Sequence, residues 1–560
     1  MSYSNPSNLS LLSVKNSPYI RLLLKHVGDK TWRVFFVGLF SGLANGAIVA
    51  VINASAITHR RGEEEMVRYF FMFVLAVLTY VYCNNHLLNM SVEYGERIVK
   101  DFRIRLANRI RQSELLMFDK LESSQVFVTL SDNTSIISRA SQPIFKACGS
   151  SVMLLFCFAY LYFISPTAFF INIAMTITTV LIYMKVAVEV ENCFSRAYMF
   201  EKRFFHNILQ LLKGIKEIKM SYIRGNDLHD NYIEPDAEKA REQKVAANRL
   251  HVKNYLLTKI FVFLVTASYV FLLPMLQIIS SEELTSLIAV ALFMISPIGD
   301  IVQAIPELAQ ANVAVIKLNE LENNLEIQET AEVIGTIEQP AELSVREAEF
   351  CYRDSNNEPV FCVGPLDMEL LAGEVTFVVG GNGSGKSTLL KMLTGLYPLD
   401  KGFLMIDGIP VSRENRQTAR EHYSSIFSDF HLFDRLYGMG DVNPSEVNKL
   451  LRKMKLEFKT VFNDGAFTRI DLSTGQRKRL ALIVSLLEDR PMYIFDEVAA
   501  DQDPQFRSFF YNDILNELRK RGKIVLVASH DAEYFDTADK VYRLDYGSIV
   551  DVREINRSKL

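Results

Sequence analysis

Residues 380–388, Gly-Gly-Asn-Gly-Ser-Gly-Lys-Ser-Thr, hold three kinds of side chain at a spacing that suits phosphate chemistry. Gly380, Gly381, Gly383 and Gly385 lack a Cβ, so peptide N–H groups in this stretch can close on phosphate oxygens. Asn382, Ser384 and Thr388 belong to the same binding stretch. Lys386 has the reach to pair with β- and γ-phosphates, and the Ser387 hydroxyl can ligate Mg²⁺. An apolar run at 375–379 reads as a buried strand before the loop, and Leu389-Leu390-Lys391-Met392-Leu393 reads as a helix after it. Strand, glycine-rich loop and helix form the P-loop arrangement, with the helix's positive end aimed at the anion. ATP and Mg²⁺ are the ligands this pattern predicts.

Four further stretches complete a nucleotide site. Met492-Tyr493-Ile494-Phe495-Asp496-Glu497 is an apolar strand ending in two carboxylates. Asp496 suits a Mg²⁺ ligand, and Glu497 suits a base that orients and deprotonates water. Leu472-Ser473-Thr474-Gly475-Gln476 opens a helix over 477–487, with Ser473 a natural N-cap. That role leaves the small pair Thr474-Gly475 and Gln476 unexplained. A buried strand at 523–529 ends at His530, within reach of a γ-phosphate. Tyr352 is an aromatic that can stack on adenine or pack in a core.

These elements occupy only the second half of a chain of 560 residues. The formal net charge of -4 argues for no nucleic-acid partner. The six cysteines, Cys83, Cys148, Cys157, Cys193, Cys351 and Cys362, have no metal-ligand spacing. They read as small buried hydrophobes with no disulfide framework. No cleavable signal is expected at the start of the chain, and the short stretch before the first span is expected to hold no leader-cleaving protease domain.

The first half has six stretches near the ~20 apolar residues that a helix needs to cross a bilayer. They are 32–57, 66–92, 142–164, 167–190, 255–279 and 284–303. The segments 93–141 and 191–254 are long and rich in Lys and Arg, so they, the N-terminus and the second half are expected in the cytoplasm. Apolar spacing at 97–118 and 203–219 predicts helices that run on beyond the bilayer, with tips near 121–129 and 222–230 touching the second half. Lys146, Lys185, Glu189 and Asp300 either line a substrate path or lie near span ends. Asn45, Asn53, Asn84, Asn85, His86 and Gln303 face a cavity or bond between helices. Pro274, Pro297 and Pro306 predict kinks in the last two spans. The expected architecture is an α-helical six-span transmembrane domain, 1–330, followed by an α/β P-loop nucleotide-binding domain, 331–560.

With these motifs in place, the chain resembles an ATP-binding-cassette (ABC) exporter half-transporter of the type I kind over nearly its whole length. Residues 472–476 match the family's signature, with Thr474 at its first Gly. Asp503 matches the D-loop aspartate, His530 the switch histidine and Tyr352 the adenine-stacking aromatic. Ser428 stands where most cassettes carry a Gln that contacts Mg²⁺; its reach is shorter, so a water or Asp429 would have to assist. The strings at 472–482, 499–504, 427–433 and 211–219 resemble the bacterial cyclic-peptide and siderophore exporters, whose relatives include pyoverdine-precursor, syringomycin-type and microcin J25 exporters. The resemblance implies a homodimer among membrane lipids in the bacterial inner membrane. It implies two ATP sites, each using Lys386, Ser387, Asp496, Glu497 and His530 of one copy and Ser473, Gly475 and Gln476 of the other. The implied cargo is a peptide or siderophore-like molecule. A lipid or lipopeptide flippase and a peptide-binding ATP switch are the alternatives.

Overall fold

The computed structural model describes residues 17–28, 31–58, 63–119, 123–275, 281–325, 339–354 and 356–555. Two compact units emerge. One runs up to Asn108 and resumes over Ser123–Asn324; the other joins Arg109–Glu122 to the chain from Leu325 onward. The expected boundary at 330/331 lies outside the described residues.

The first unit is all helix. Thr31–Thr58, Glu63–Gln112, Ser123–Ile164, Pro166–Lys213, Glu234–Ala267 and Ser281–Asn324 are its long members. Among the described residues, five helical stretches are long and apolar enough to cross a membrane: Thr31–Ser55, Glu64–Gln112, Thr129–Ile164, Tyr222–Met275 and Glu283–Asn324. The other expected span, 167–190, falls in Pro166–Lys213, where the side chains of residues 183–188 lie outside the description. Large apolar side chains such as Trp32, Phe70, Phe71, Leu75, Phe163 and Phe271 point outward. In water such a surface would be costly; against lipid tails it is the expected exterior.

Inward-facing residues hold the helices together. Val49, Met153, Leu161, Tyr269, Leu287 and Met294 share one apolar cluster. Asn172 Nδ2 donates to the Tyr269 hydroxyl at 2.9 Å inside it. Asn53 Nδ2 donates to the Tyr160 hydroxyl at 3.1 Å, and Asn45 Nδ2 approaches the Met153 sulfur, so both bond between helices. Lys146 pairs with Asp300 at 2.9 Å, and the Ser150 hydroxyl donates to the same carboxylate at 2.8 Å. Two charges flagged by the sequence therefore neutralise each other. Glu189 is exposed, and the Lys185 side chain lies outside the description. Pro297 and Pro306 sit inside a continuous helix, and a π-helical stretch, Ser268–Leu272, precedes Pro274.

Among the described residues the second unit contains three sheets, the smallest a two-stranded pair of Phe462–Asn463 and Ala466–Phe467. A four-stranded antiparallel sheet has the order Pro359–Leu371, Glu342–Arg353, Lys401–Ile406, Ile409–Pro410. A six-stranded sheet has the order Ser548–Glu554, Lys540–Asp545, Val375–Val379, Ile524–Ala528, Met492–Asp496, Tyr423–Ile426. All its neighbours are parallel except the first pair. Val375–Val379, Ile524–Ala528 and Met492–Asp496 are nearly unbroken apolar runs because both of their faces are covered.

The expectation of no disulfide does not hold. Cys351 and Cys362 are direct partners in the antiparallel register of Glu342–Arg353 and Pro359–Leu371, and their sulfurs are bonded. Eleven residues of sequence separation say nothing about such a pairing until the register is known. Cys148 is also exposed rather than buried.

Close packing of the first unit yields a test. A Cβ on Gly42 would lie 2.6 Å from the Val152 Cβ and 2.7 Å from the Gly149 carbonyl oxygen. A Cβ on Gly299 would meet nothing within 4 Å. Gly42→Ala should lower the melting midpoint of the solubilised protein, with an overpacking cost of about 1–3 kcal/mol. Gly299→Ala should leave it in place, and scanning fluorimetry distinguishes the two.

Candidate active site

Parallel register decides where the site forms. Asp496 aligns with Ala528, and Ala528 aligns with Val378, so the carboxyl ends of three strands share one edge. Ligand crevices of parallel sheets open at that edge. The P-loop leaves the strand Val375–Val379 there and turns into the helix Lys386–Leu393. Gly385 makes that turn at φ +102°, and a Cβ on it would strike Val363 at 2.8 Å, so a side chain is excluded by both backbone and space.

The P-loop residues are brought together with both carboxylates. Ser387 Oγ donates to Asp496 Oδ2 at 2.9 Å. The buried Lys386 ammonium donates to the Gly380 and Gly381 carbonyls at 3.0 and 3.1 Å. Burial holds its pKa below the usual lysine value, against the upward pull of Glu497 and Asp496. His530 Nε2 lies 3.2 Å from Glu497 Oε1. Ser428 is exposed and meets Asp496 only through its peptide N–H, at 3.4 Å.

The residues fit a Mg-nucleotide. Gly381, Asn382 and Gly383 are exposed at the loop's outer surface, and the buried Ser384 hydroxyl has no hydrogen-bond partner among the described residues. Ser387 and Asp496 offer two hard oxygens side by side, the donor type that Mg²⁺ takes.

Tyr352 has a second set of contacts. Its hydroxyl is 3.2 Å from Thr388 Oγ1 and donates to the Tyr397 hydroxyl at 3.4 Å. Tyr397 donates in turn to Asp119 at 2.8 Å. Asp119 ends a short helix, Leu115–Asp119, in which Leu115 and Leu116 pack on the apolar cluster of Leu343, Phe350 and Leu390. Glu114 pairs with Arg416 at 3.4 Å beside it. The segment joining two long helices of the first unit thus packs with the cassette. The contacts seen are made at Leu115–Asp119; the expected tip at 121–129 begins outside the described residues. The second expected tip is Ile215–Met220 followed by Tyr222–Leu228, with Met220, Tyr222 and Ile223 more than four-fifths exposed.

Ser473, Gly475, Gln476 and Asp503 form a separate group around the helix Thr474–Glu488. Ser473 is its N-cap, and the Ser473 N–H donates to Gln476 Oε1 at 3.3 Å. Asp503 caps the following helix through the Phe506 N–H at 2.9 Å. That bond, aided by Arg479, keeps its carboxyl below the usual range. Sequence reading missed Tyr397, Asp119 and Lys478. Only Lys478 carried a signal: a charge at helical spacing with the buried Ala481, Leu482 and Ser485.

Comparison with known proteins agrees with this geometry. The family model described as ABC transporter matches residues 363–500. The ATP-binding protein SyrD of Pseudomonas syringae pv. syringae is 31% identical over 543 residues, covering 93% of this chain and 94% of SyrD. This chain is an ABC exporter half-transporter. The exporter is also 23% identical over 498 residues to the ATP-dependent lipid A-core flippase of Pseudomonas fluorescens (strain Pf0-1), covering 84% and 79% of the two chains. Its fold matches a bacterial Atm1-family ABC exporter solved with ATP bound, at TM-score 0.77 and 17% identity over 94% of this chain and 96% of that one. The exporter is a multi-pass membrane protein whose cassette binds ATP and couples its hydrolysis to transport.

Tyr397→Phe removes the hydrogen bond from Tyr397 to Asp119 and leaves the longer Lys391–Asp119 ion pair, at 3.8 Å, in place. A hydrogen bond of this kind is worth about 1 kcal/mol, so amides in 115–119 should exchange roughly 2–10-fold faster. Hydrogen–deuterium exchange with mass spectrometry reads this, and protection equal to wild type would show that the bond does not hold the segment.

Proposed function

We propose that two copies of this exporter form a homodimer that moves a peptide or siderophore-like molecule, of cyclic or modified kind, out across the bacterial inner membrane. The cassettes lie in the cytoplasm. Each ATP site takes its P-loop, Lys386, Ser387, Asp496, Glu497 and His530 from one copy and Ser473, Gly475 and Gln476 from the other. Gly380 to Thr388 cradle the phosphates, Tyr352 stacks on adenine, and Asp503 orders the loop between the sites. Ser387 and Asp496, with Ser428 nearby, would hold Mg²⁺, which would supply neutralisation of the phosphate charge.

Several observations support the dimer. Ser473 and Thr474 are exposed at the start of their helix and carry no charge, which leaves a helix N-terminus open to an anion on another chain. Met220, Tyr222 and Ile223 form an exposed apolar tip that a second copy would cover. In the closed dimer ATP sits between two faces, and hydrolysis lets them part. Glu497, with its carboxylate beside His530, accepts the proton of the attacking water.

The cargo reading rests on the four strings at 472–482, 499–504, 427–433 and 211–219. Similarity to a lipid A-core flippase over 84% of the chain favours lipid or lipopeptide flipping as the second reading. Inside-out vesicles should accumulate a labelled cyclic peptide or siderophore precursor on adding ATP. The same peptide should stimulate ATPase in lipid nanodiscs. Movement of labelled lipid with no peptide response would replace the first reading by the second. In either case Glu497→Gln should lower ATPase by ~10² or more, the usual size of a lost general base. Near-wild-type turnover would remove Glu497 from that role.

A further inference from the structure

The helix Thr474–Glu488 buries one charged side chain among apolar neighbours. Lys478 is 6% exposed. An ammonium has three donors, and each of these finds an acceptor. Lys478 Nζ donates to the Glu497 carbonyl at 2.9 Å, the Ala500 carbonyl at 3.2 Å and the Asp501 carboxylate at 3.2 Å. All three acceptors lie on the turn that follows the strand Met492–Asp496.

That turn has an unfavourable backbone. Glu497 has φ +53° and Asp501 has φ +62°, both in the left-handed region that side chains disfavour. Such residues persist where their surroundings hold them. The Ala500 N–H donates to the Glu497 carbonyl at 3.2 Å, and Lys478 bonds to the turn at both ends. The first turn of the Lys478 helix is fastened to the same loop. Gln502 Nε2 donates to the Gly475 carbonyl at 2.9 Å, Arg479 Nε donates to Gln502 Oε1 at 2.9 Å, and Arg479 also pairs with Asp503. A Cβ on Gly475 would lie 2.8 Å from the Asp501 carbonyl, so helix and loop are in close contact.

We propose that Lys478 is a positioning residue for ATP hydrolysis: it holds the turn that aims the Glu497 carboxylate and fastens that turn to the signature helix of the same chain. The inference rests on the reading of Glu497 as base and of the two-chain site. In that arrangement one chain gives Glu497 to its own site and Ser473 to its partner's. Lys478 is then the link through which the state of one site reaches the base of the other. Its loss frees the turn without touching the P-loop, so nucleotide binding survives while chemistry slows. At Asp501, whose side chain is 63% exposed, water can replace the ammonium.

The test compares steady-state ATPase of Lys478→Met, Lys478→Gln, Glu497→Gln and wild-type protein in lipid nanodiscs. Lys478→Met should lower kcat by ~10-fold or more, the scale at which misplaced catalytic groups act, with KM for ATP within about threefold. Lys478→Gln keeps two donors and should fall between Lys478→Met and wild type. If the methionine variant does not fold, the glutamine variant carries the same comparison of kcat with KM. Wild-type kcat in the Lys478 variants beside an inactive Glu497→Gln overturns this proposal alone. A matching loss of kcat and ATP affinity also overturns it, as the mark of a general structural role. Active Glu497→Gln overturns the underlying assignment of the base instead.

Discussion

Everything chemical in this protein depends on the parallel register of three strands. Val375–Val379, Ile524–Ala528 and Met492–Asp496 end together, so the P-loop, His530 and the Asp496-Glu497 pair emerge at one edge of one sheet. A one-residue slip in Met492–Asp496 would turn Asp496 to the opposite face and break its bond to Ser387. Apolar packing of Phe377, Phe495, Val525 and Val527 prevents that slip, since each is almost fully buried in one cluster. The core is thus the device that holds the Ser387 hydroxyl and the Asp496 carboxylate 2.9 Å apart.

Two attachments extend from that edge. One runs outward through hydroxyls, from Thr388 to Tyr352 to Tyr397 to Asp119, and ends on a segment bounded by two membrane-crossing helices. The other runs sideways through Lys478, from the Glu497 carbonyl to the helix that begins at Ser473. A change at the nucleotide is therefore connected to the segment Leu115–Asp119 by the first and to the signature helix by the other. These are directional bonds in a partly dry setting, where loss of one partner is felt by the other.

Much of this was legible before any fold was known. The P-loop announces itself because glycines, lysine and serine stand between a strand pattern and a helix pattern. Asp496 and Glu497 follow from an apolar run ending in carboxylates, and the long helices from run length. What stayed hidden depends on register or on distance. Cys351 and Cys362 meet only because two antiparallel strands align them. Asp119 and Tyr397 are 278 residues apart, and neither belongs to a motif. Leu115–Asp119 is five residues long, too short for periodicity to show. Lys478 sat in a recognised string, yet its burial was visible only as a charge among apolar neighbours.

The central claim is that each ATP site is shared by two chains, and mixed dimers test it most directly. Lys386→Ala disables the P-loop of one chain, and Ser473→Arg blocks the exposed start of the signature helix in the other. Each variant alone should lack ATPase. Co-expressed with different tags and purified through both, the mixed dimer has one site with both defects and one site with neither. The account predicts that ATPase returns in the mixed dimer. Failure to recover any activity in a properly assembled mixed dimer would mean that each site is built within a single chain, and would contradict it.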